Sequence, residues 1–207
     1  MSGSSGAQRR RGVLGATLVA GMGLLGTGLR ARPGSAAFYG FTSATAVTWA
    51  GGAVVDGPVP AGRSAHPVLV PVAIGASVFG AFYAAAVVSL RVPPLRRAIR
   101  TVLGHYEAGA GLPVVLTTLA NGAAEELFFR GAVYDAAGPR PVATSTAIYV
   151  LATAASRNPA LVLASGVLGT VLALQRRATG GVAAPLLTHV TWSALMLRFM
   201  PPLFREG

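Results

Sequence analysis

Asn121-Gly-Ala-Ala-Glu-Glu-Leu-Phe-Phe-Arg-Gly131 is the stretch that decides how the rest of the chain is interpreted. It places three ionisable side chains, Glu125, Glu126 and Arg130, inside a run that is otherwise apolar from Leu112 to Val133. A charged group near the middle of a bilayer costs about 2.5–3.5 kcal/mol on insertion scales, so such groups usually face a protein interior or a wet cavity. The two adjacent carboxylates are therefore the strongest indication of chemistry in the sequence.

Helical spacing assigns the two acids different surroundings. Glu126 and Arg130 are four residues apart with the acid first, which favours an ion pair on one face of the helix. Glu125 lies about 100° around the helix from Glu126, so the spacing leaves it free to act. This division is typical of a structural acid beside a general base. The alternative is a buried ionic network that holds helices together without a reaction.

The composition is typical of a polytopic membrane protein. Of the 207 residues 53% are hydrophobic and only 11% are charged, and the mean hydropathy is +0.59. All basic residues are arginine and the net charge is +11. The arginines cluster at the ends of apolar runs, which indicates contact with lipid headgroups, and no aromatic-interleaved basic surface remains to suggest nucleic acid. No cysteine is present, which excludes disulfides and thiolate chemistry.

The predicted fold class is an all-α polytopic membrane protein with six to seven transmembrane helices and one amphipathic interfacial helix. Residues 1–12 are predicted to be a disordered tail, and residues 13–207 to form a single membrane-embedded domain. Arg9-Arg10-Arg11 and the apolar run behind it resemble a signal peptide, but an uncleaved first span is favoured because more apolar runs follow. The amphipathic helix is predicted within residues 91–111, where arginines alternate with aliphatic residues.

Polar residues also occur in two later apolar runs. His189 lies in the last run with Ser193 one turn further on, and a shared polar cavity with the paired acids is predicted. The hydroxyls of Ser145, Tyr149, Thr153 and Ser156 lie on one stripe at helical spacing. Ordinary interhelical hydrogen bonding is the alternative to a functional role, and it is favoured for Ser145 and Ser156.

Several reaction classes are excluded by missing motifs. No His-Glu-x-x-His sequence occurs, and the histidines at 66, 105 and 189 are too scattered for a convincing zinc site. The second aspartate of an aspartyl protease has no matching context, and there is no Gly-x-Ser-x-Gly turn for a serine nucleophile. A glutamate that activates water for attack on an amide carbonyl remains, with a hydrogen-bond donor at the oxyanion.

Two motifs resemble those of the CPBP family, the CAAX prenyl protease type 2 and bacteriocin-processing (Abi) proteins. Glu125-Glu126-Leu-Phe-Phe-Arg130 is similar to its Glu-Glu-x-x-x-Arg motif, and His189-Val-Thr-Trp-Ser193 to its His-x-x-x-Asn/Asp motif. The likeness covers about residues 112–200. It implies an intramembrane endopeptidase in which Glu125 activates water, Glu126 and Arg130 support it, and His189 with Ser193 holds the oxyanion.

The chain departs from the family pattern at two positions. Thr153 stands where the middle Phe-x-x-x-His motif has histidine, and Ser193 where the family has Asn or Asp. A hydroxyl can donate a hydrogen bond at either place, but threonine cannot take up a proton near neutral pH. The family has been labelled metalloprotease-like; no cofactor is expected here, and zinc is the less favoured possibility.

The leading hypothesis is a multi-pass protease of the bacterial plasma membrane that cleaves a membrane-associated peptide or protein. A catalytically impaired relative that binds membrane partners as a scaffold is the alternative, because of Thr153. Ion-coupled transport is a third hypothesis, since intramembrane acids also serve relays, although no internal repeat is visible. The lipid bilayer is the other expected partner. Substrate prenylation, orientation and oligomeric state stay open.

Overall fold

The computed structural model describes the backbone of residues 2–108 and 111–205, and in these ranges every regular element is a helix. The fifth helix, α5, has three consecutive parts, an α-helical Leu112–Glu125, a π-helical Glu126–Val133 and a last α turn, Tyr134–Ala136. The other helices are α1 (Ser2–Gly28), α2 (Ala36–Asp56), α3 (Leu69–Ser89), α4 (Pro93–Ala108), α6 (Pro141–Ala154), α7 (Pro159–Thr179) and α8 (Ala183–Arg205).

The predicted all-α class is confirmed for the described part of the chain, but the number of membrane spans is not. Two helices there, α3 and α7, are long and apolar enough to cross a membrane. In α2 the polar Thr42, Ser43, Thr45 and Thr48 dilute the apolar residues. In α5 the α-helical part has only 14 residues before the π segment begins. Six or seven spans therefore remain a prediction.

Helix α1 begins at Ser2 and so includes most of the segment predicted to be a disordered tail. Its Arg10 guanidinium donates two hydrogen bonds of 2.6 Å to the carboxylate of Asp56, at the end of α2. Nε and Nη2 of Arg10 thus bind the two oxygens of one carboxylate. This bidentate geometry fixes the orientation of the ion pair as well as its distance. The ion pair thereby ties the first turns of α1 to the last turn of α2.

Helix α5 lies at the centre of the fold. It packs against α2 and α8, and its π segment also contacts α6 and α7. The core around it is aromatic: Trp49 stacks on Phe128 at 4.9 Å between ring centroids, and Phe129 lies 4.9 Å from Tyr149. Aromatic pairs at such distances add stability beyond the area they bury. The motif helix is therefore held rigidly from several sides.

Helix α7 has well-defined ends that fix its position. Asn158 precedes it, and its side-chain oxygen accepts from the backbone N–H of Ala160 and Leu161. The same side chain donates to the carbonyl of Ala98 in α4, at 2.8 Å. Gly180 ends the helix with a φ of 71°, in the left-handed region that glycine adopts without strain. One N-cap residue thus also joins α7 to α4.

Helix α4 has the amphipathic character that the sequence predicts. Arg96 and Arg97 are exposed, whereas Leu103 is buried against α3 and α8. One face of this helix therefore carries exposed charged residues and the opposite face buried apolar residues, as an interfacial helix requires. Its position at a membrane surface remains a prediction.

Candidate active site

The Glu126 carboxylate lies at the centre of a buried polar cluster. Its Oε1 accepts from Nη1 of Arg130 at 3.0 Å and from Nδ1 of His189 at 2.8 Å. All three side chains are buried, and both Glu126 and Arg130 have no exposed surface. The predicted ion pair is present, and His189 of α8 meets the same oxygen. One carboxylate therefore joins the motif helix to the last helix.

Arg130 is fixed by further contacts with α6 and α7. Its Nη2 donates to the carbonyl of Gly169 at 3.2 Å, and its guanidinium carbon lies 4.5 Å from the ring centroid of Tyr149. The backbone carbonyl of Arg130 in turn accepts from Nε of Arg176, at 2.8 Å. A planar guanidinium with several donors suits such a position better than an ammonium group does. Arg130 thus links α6 and α7 to the π segment.

Glu125 lies at the edge of this cluster and is partly exposed. Its Oε2 accepts a hydrogen bond of 2.8 Å from the Tyr149 hydroxyl. The spacing within α5 predicts that Glu125 has no counter-ion on its own helix, but it cannot predict this donor, which lies on α6. The Glu125 carboxylate also interacts electrostatically with His189, Glu126 and Arg130.

The second nitrogen of His189 faces the backbone of α5. Glu126 as a carboxylate can only accept, so the hydrogen between them is on Nδ1. A Cβ placed on Gly122 would lie 3.4 Å from both Nε2 and Cδ2 of the imidazole. Gly122 and Glu125 are three residues apart on one helix face. The Nε2 edge of His189 and the Glu125 carboxylate therefore share one side of α5.

Thr153 and Ser193 occupy different positions relative to the cluster. The Thr153 hydroxyl donates to the carbonyl of Tyr149 at 2.9 Å, a contact inside its own helix. Ser193 is buried one turn beyond His189 and lines a cavity. The structure therefore brings Glu125, Glu126, Arg130 and His189 together, places Ser193 beside them, and directs the Thr153 hydroxyl to its own backbone.

The cavity at Ser193 has a volume of about 430 Å³. It lies between α3, α4, α7 and α8, and Thr118 of α5 reaches its wall. Apart from a few hydroxyls its lining is aliphatic and aromatic, with Phe82, Leu161 and Trp192 among its residues. Ligand sites in proteins are typically concave, mostly apolar and supplied with a few polar groups. Its volume is large enough for a substantial apolar group.

The donor set of the cluster does not fit zinc. A zinc site needs at least three protein ligands, and among the residues that the structure describes no such group of His, Cys, Asp and Glu exists. Oε1 of Glu126 already accepts from Arg130 and His189, and the guanidinium opposes a cation there. The side chain of His105 lies outside the described part. No step of the reaction is therefore assigned to a metal.

Tyr149, Gly169 and Arg176 are site residues that the sequence does not single out. Tyr149 has a sequence signal, since it belongs to the hydroxyl-bearing stripe of α6, but that stripe is explained equally well by ordinary packing. Gly169 contributes only a carbonyl and the lack of a side chain, and Arg176 has the pattern of a helix-end anchor. Their contacts depend on how α6 and α7 dock on α5.

Comparisons with known proteins agree with the two motifs. Residues 108–195, less than half of the chain, match the family model described as type II CAAX prenyl endopeptidase, Rce1-like. Neither a search of curated proteins nor one of solved structures gives a match. The matched segment includes the paired acids, Tyr149, Thr153, His189 and Ser193. Over this segment the chain is similar to the Rce1-like endopeptidases, as its Glu-Glu-x-x-x-Arg and His-x-x-x-Ser motifs predict.

Proposed function

We propose that the protein is an intramembrane endopeptidase that hydrolyses a peptide bond of a membrane-associated substrate with glutamate-activated water. The observation that carries the proposal is the unequal placement of the two acids. Glu126 is fully buried between Arg130 and His189, whereas Glu125 is partly exposed beside the same imidazole. In this proposal the structural acid positions the histidine, and its partly exposed neighbour is the acid that meets the water molecule.

In the proposed reaction the Glu125 carboxylate takes a proton from water as the oxygen attacks the scissile carbonyl carbon. The carbonyl π bond opens to a tetrahedral oxyanion, and the carbon–nitrogen bond then breaks as Glu125 returns the proton to the leaving amine. When both nitrogens of His189 are protonated, Nε2–H is available to the oxyanion, and the Ser193 hydroxyl is the second donor. Preorganised donors of this kind contribute about 10²–10³-fold each.

The substrate in this proposal is a peptide or protein that presents an apolar group to the cavity next to Ser193. The cavity wall is almost entirely apolar, and Ser193 is part of it. The scissile bond would then lie within reach of His189, one turn away on α8. The proposed location is the bacterial plasma membrane, with α1, α2, α5, α6 and α8 crossing it in addition to α3 and α7.

The test uses the purified full-length protein in detergent or nanodiscs, incubated with a panel of membrane-associated peptides and analysed by mass spectrometry. Wild type is expected to give discrete products, and Glu125→Gln is expected to reduce turnover by about 10²-fold or more. Asp135→Asn serves as the matched control. The Asp135 carboxylate forms an ion pair with Arg176, with 2.8 Å between Oδ1 and Nη2, and this pair does not include Glu125. Equal cleavage by wild type and Glu125→Gln would remove Glu125 from the reaction.

The second candidate function is a non-catalytic membrane scaffold, and the observation that favours it is Thr153. Its hydroxyl donates to its own helix and so supplies no proton-accepting group to the site. The scaffold hypothesis expects turnover to appear only in Thr153→His, whereas the protease hypothesis expects it in the unmodified protein. Turnover by wild type on any peptide of the panel would end the scaffold hypothesis.

A further inference from the structure

The hydroxyl of Tyr149 is the group that reaches Glu125 from a neighbouring helix. It donates to Oε2 at 2.8 Å, which is within the range of a good O–H···O hydrogen bond. The other oxygen of the carboxylate is left for water. A donor that binds one carboxylate oxygen restricts rotation of the group and so fixes the direction in which the second oxygen points. This contact therefore matters to any reaction at Glu125.

The Tyr149 ring is held in place on three sides. The Arg130 guanidinium covers one face at 4.5 Å, and Phe129 lies 4.9 Å from the ring centroid. On the third side a Cβ on Gly169 would come within 3.0 Å of the ring carbon Cδ1, so only glycine leaves the ring its present position without a shift. The cation–π contact and the packing both restrict the ring. The hydroxyl is consequently preorganised toward Glu125.

Thr153 offers no equivalent contact, although it lies only one turn further along α6. Its hydroxyl is only half-buried and donates to the Tyr149 carbonyl, at 2.9 Å. A threonine hydroxyl bound to the backbone one turn earlier is a common arrangement within helices. Of the two α6 side chains, the tyrosine therefore makes the polar connection to the paired acids.

We propose that Tyr149 is a positioning residue that orients the Glu125 carboxylate and stabilises it in the ionised form that accepts a proton from water. The proposal rests on the proposed peptidase function. In this proposal α6 contributes the Tyr149 hydroxyl to the reaction, and the side chain at position 153 has no role in it. A peptidase built on this chain then needs no histidine in α6.

Tyr149→Phe removes the hydroxyl and keeps the ring, so it tests the hydrogen bond with little change in packing. We expect kcat on a cleaved peptide to fall by about 10- to 100-fold with KM changed less than about twofold, as for loss of a hydrogen bond to a charged group. Tyr134→Phe is the matched control. Tyr134 is also buried and lies 5.1 Å from an arginine, Arg176, and it is expected to retain wild-type kinetics.

A second measurement does not depend on turnover. Dicyclohexylcarbodiimide reacts with protonated carboxyl groups in apolar surroundings, and the labelled residue can be identified by mass spectrometry. Without the Tyr149 hydroxyl the ionised form of Glu125 loses a stabilising donor, so labelling of Glu125 is expected to rise by about threefold or more. The Tyr134→Phe variant is expected to label like wild type, and the melting temperature of each variant shows whether it is folded.

The two measurements separate the inference from the function on which it rests. If no peptide is cleaved by wild type but labelling of Glu125 rises in folded Tyr149→Phe, the hydrogen bond holds the carboxylate and the peptidase proposal fails. If wild type cleaves peptides and folded Tyr149→Phe has both wild-type kcat and wild-type labelling, the positioning role of Tyr149 is overturned and the peptidase proposal stands.

Discussion

Nδ1 of His189 lies 2.8 Å from Oε1 of Glu126, the oxygen that also accepts from Arg130. Residues 63 positions apart in the chain are thereby joined in the centre of the protein. Both donors bind the same carboxylate oxygen, and the acid in turn fixes the orientation of the imidazole. The cluster is therefore a structural element as well as a part of the candidate active site.

Removing the shared carboxylate is expected to destabilise the fold strongly. In Glu126→Ala the fully buried Arg130 loses its counter-ion, and an uncompensated buried charge costs about 3–5 kcal/mol in the free energy of unfolding. Glu125→Ala is expected to cost only about 1–3 kcal/mol, mainly by leaving the Tyr149 hydroxyl without its acceptor. Unfolding of both variants by titration with a denaturing detergent measures the difference. Equal losses would contradict the different roles assigned to the two acids.

The ion pair within α5 can be predicted from the sequence because it depends on spacing alone. Glu126 and Arg130 are one turn apart, and their contact survives the change to a π-helix. A contact between Glu126 and His189 can also be predicted in general terms, because polar side chains in apolar helices avoid lipid by contacting one another. The ion pair and the contact with His189 can both be predicted from local helix geometry and from the free-energy cost of leaving a charge unpaired.

The contacts made by α6 and α7 follow from docking geometry, which the sequence does not contain in any local pattern. The π segment at Glu126–Val133 changes the register of the helix where the cluster lies, and the spacing rules of an α-helix do not predict it. The Tyr149 contact with Glu125 requires α6 to lie beside α5 at one particular rotation. Hydropathy alone does not give the number of membrane spans for a related reason, because polar residues such as Thr45 dilute the apolar runs but are buried inside the protein.

Gly169 is expected to tolerate no side chain. A methyl group there would lie 3.0 Å from Cδ1 of Tyr149 and 3.2 Å from Nη2 of Arg130, so Gly169→Ala should lower the free energy of unfolding by about 1–3 kcal/mol. Gly166 in the same helix is the control, since the nearest atom to an added methyl is Cγ2 of Val150 at 3.9 Å. Gly166→Ala should be neutral or stabilising by up to about 1 kcal/mol. The prediction fails if the two alanine variants melt alike.

Ser193 is expected to contribute to turnover more than to stability. Ser193→Ala removes the proposed second donor to the oxyanion and should lower kcat by about 10²- to 10³-fold, with an unchanged melting temperature. Ser89→Ala is the control, because Ser89 lines the same cavity but donates to the carbonyl of Ala86 at 2.6 Å. Ser193→Asn, which restores the residue type of the family motif, should retain at least wild-type kcat. Wild-type kcat in Ser193→Ala would exclude the hydroxyl as a donor.

The cavity between α3, α4, α7 and α8 is expected to set the size of the apolar group that a substrate can present. Ala164→Leu places a larger side chain on the wall of this 430 Å³ space, so KM should rise by about tenfold for a peptide with a bulky apolar group. The same variant should leave KM nearly unchanged for a matched peptide whose apolar group is small, because that group does not need the occupied volume. Ala154→Leu adds the same side chain at an exposed position on α6 and should affect neither peptide. An equal rise in KM for both peptides with Ala164→Leu would show that the cavity does not select by size, since a general disturbance of the fold acts on every substrate alike.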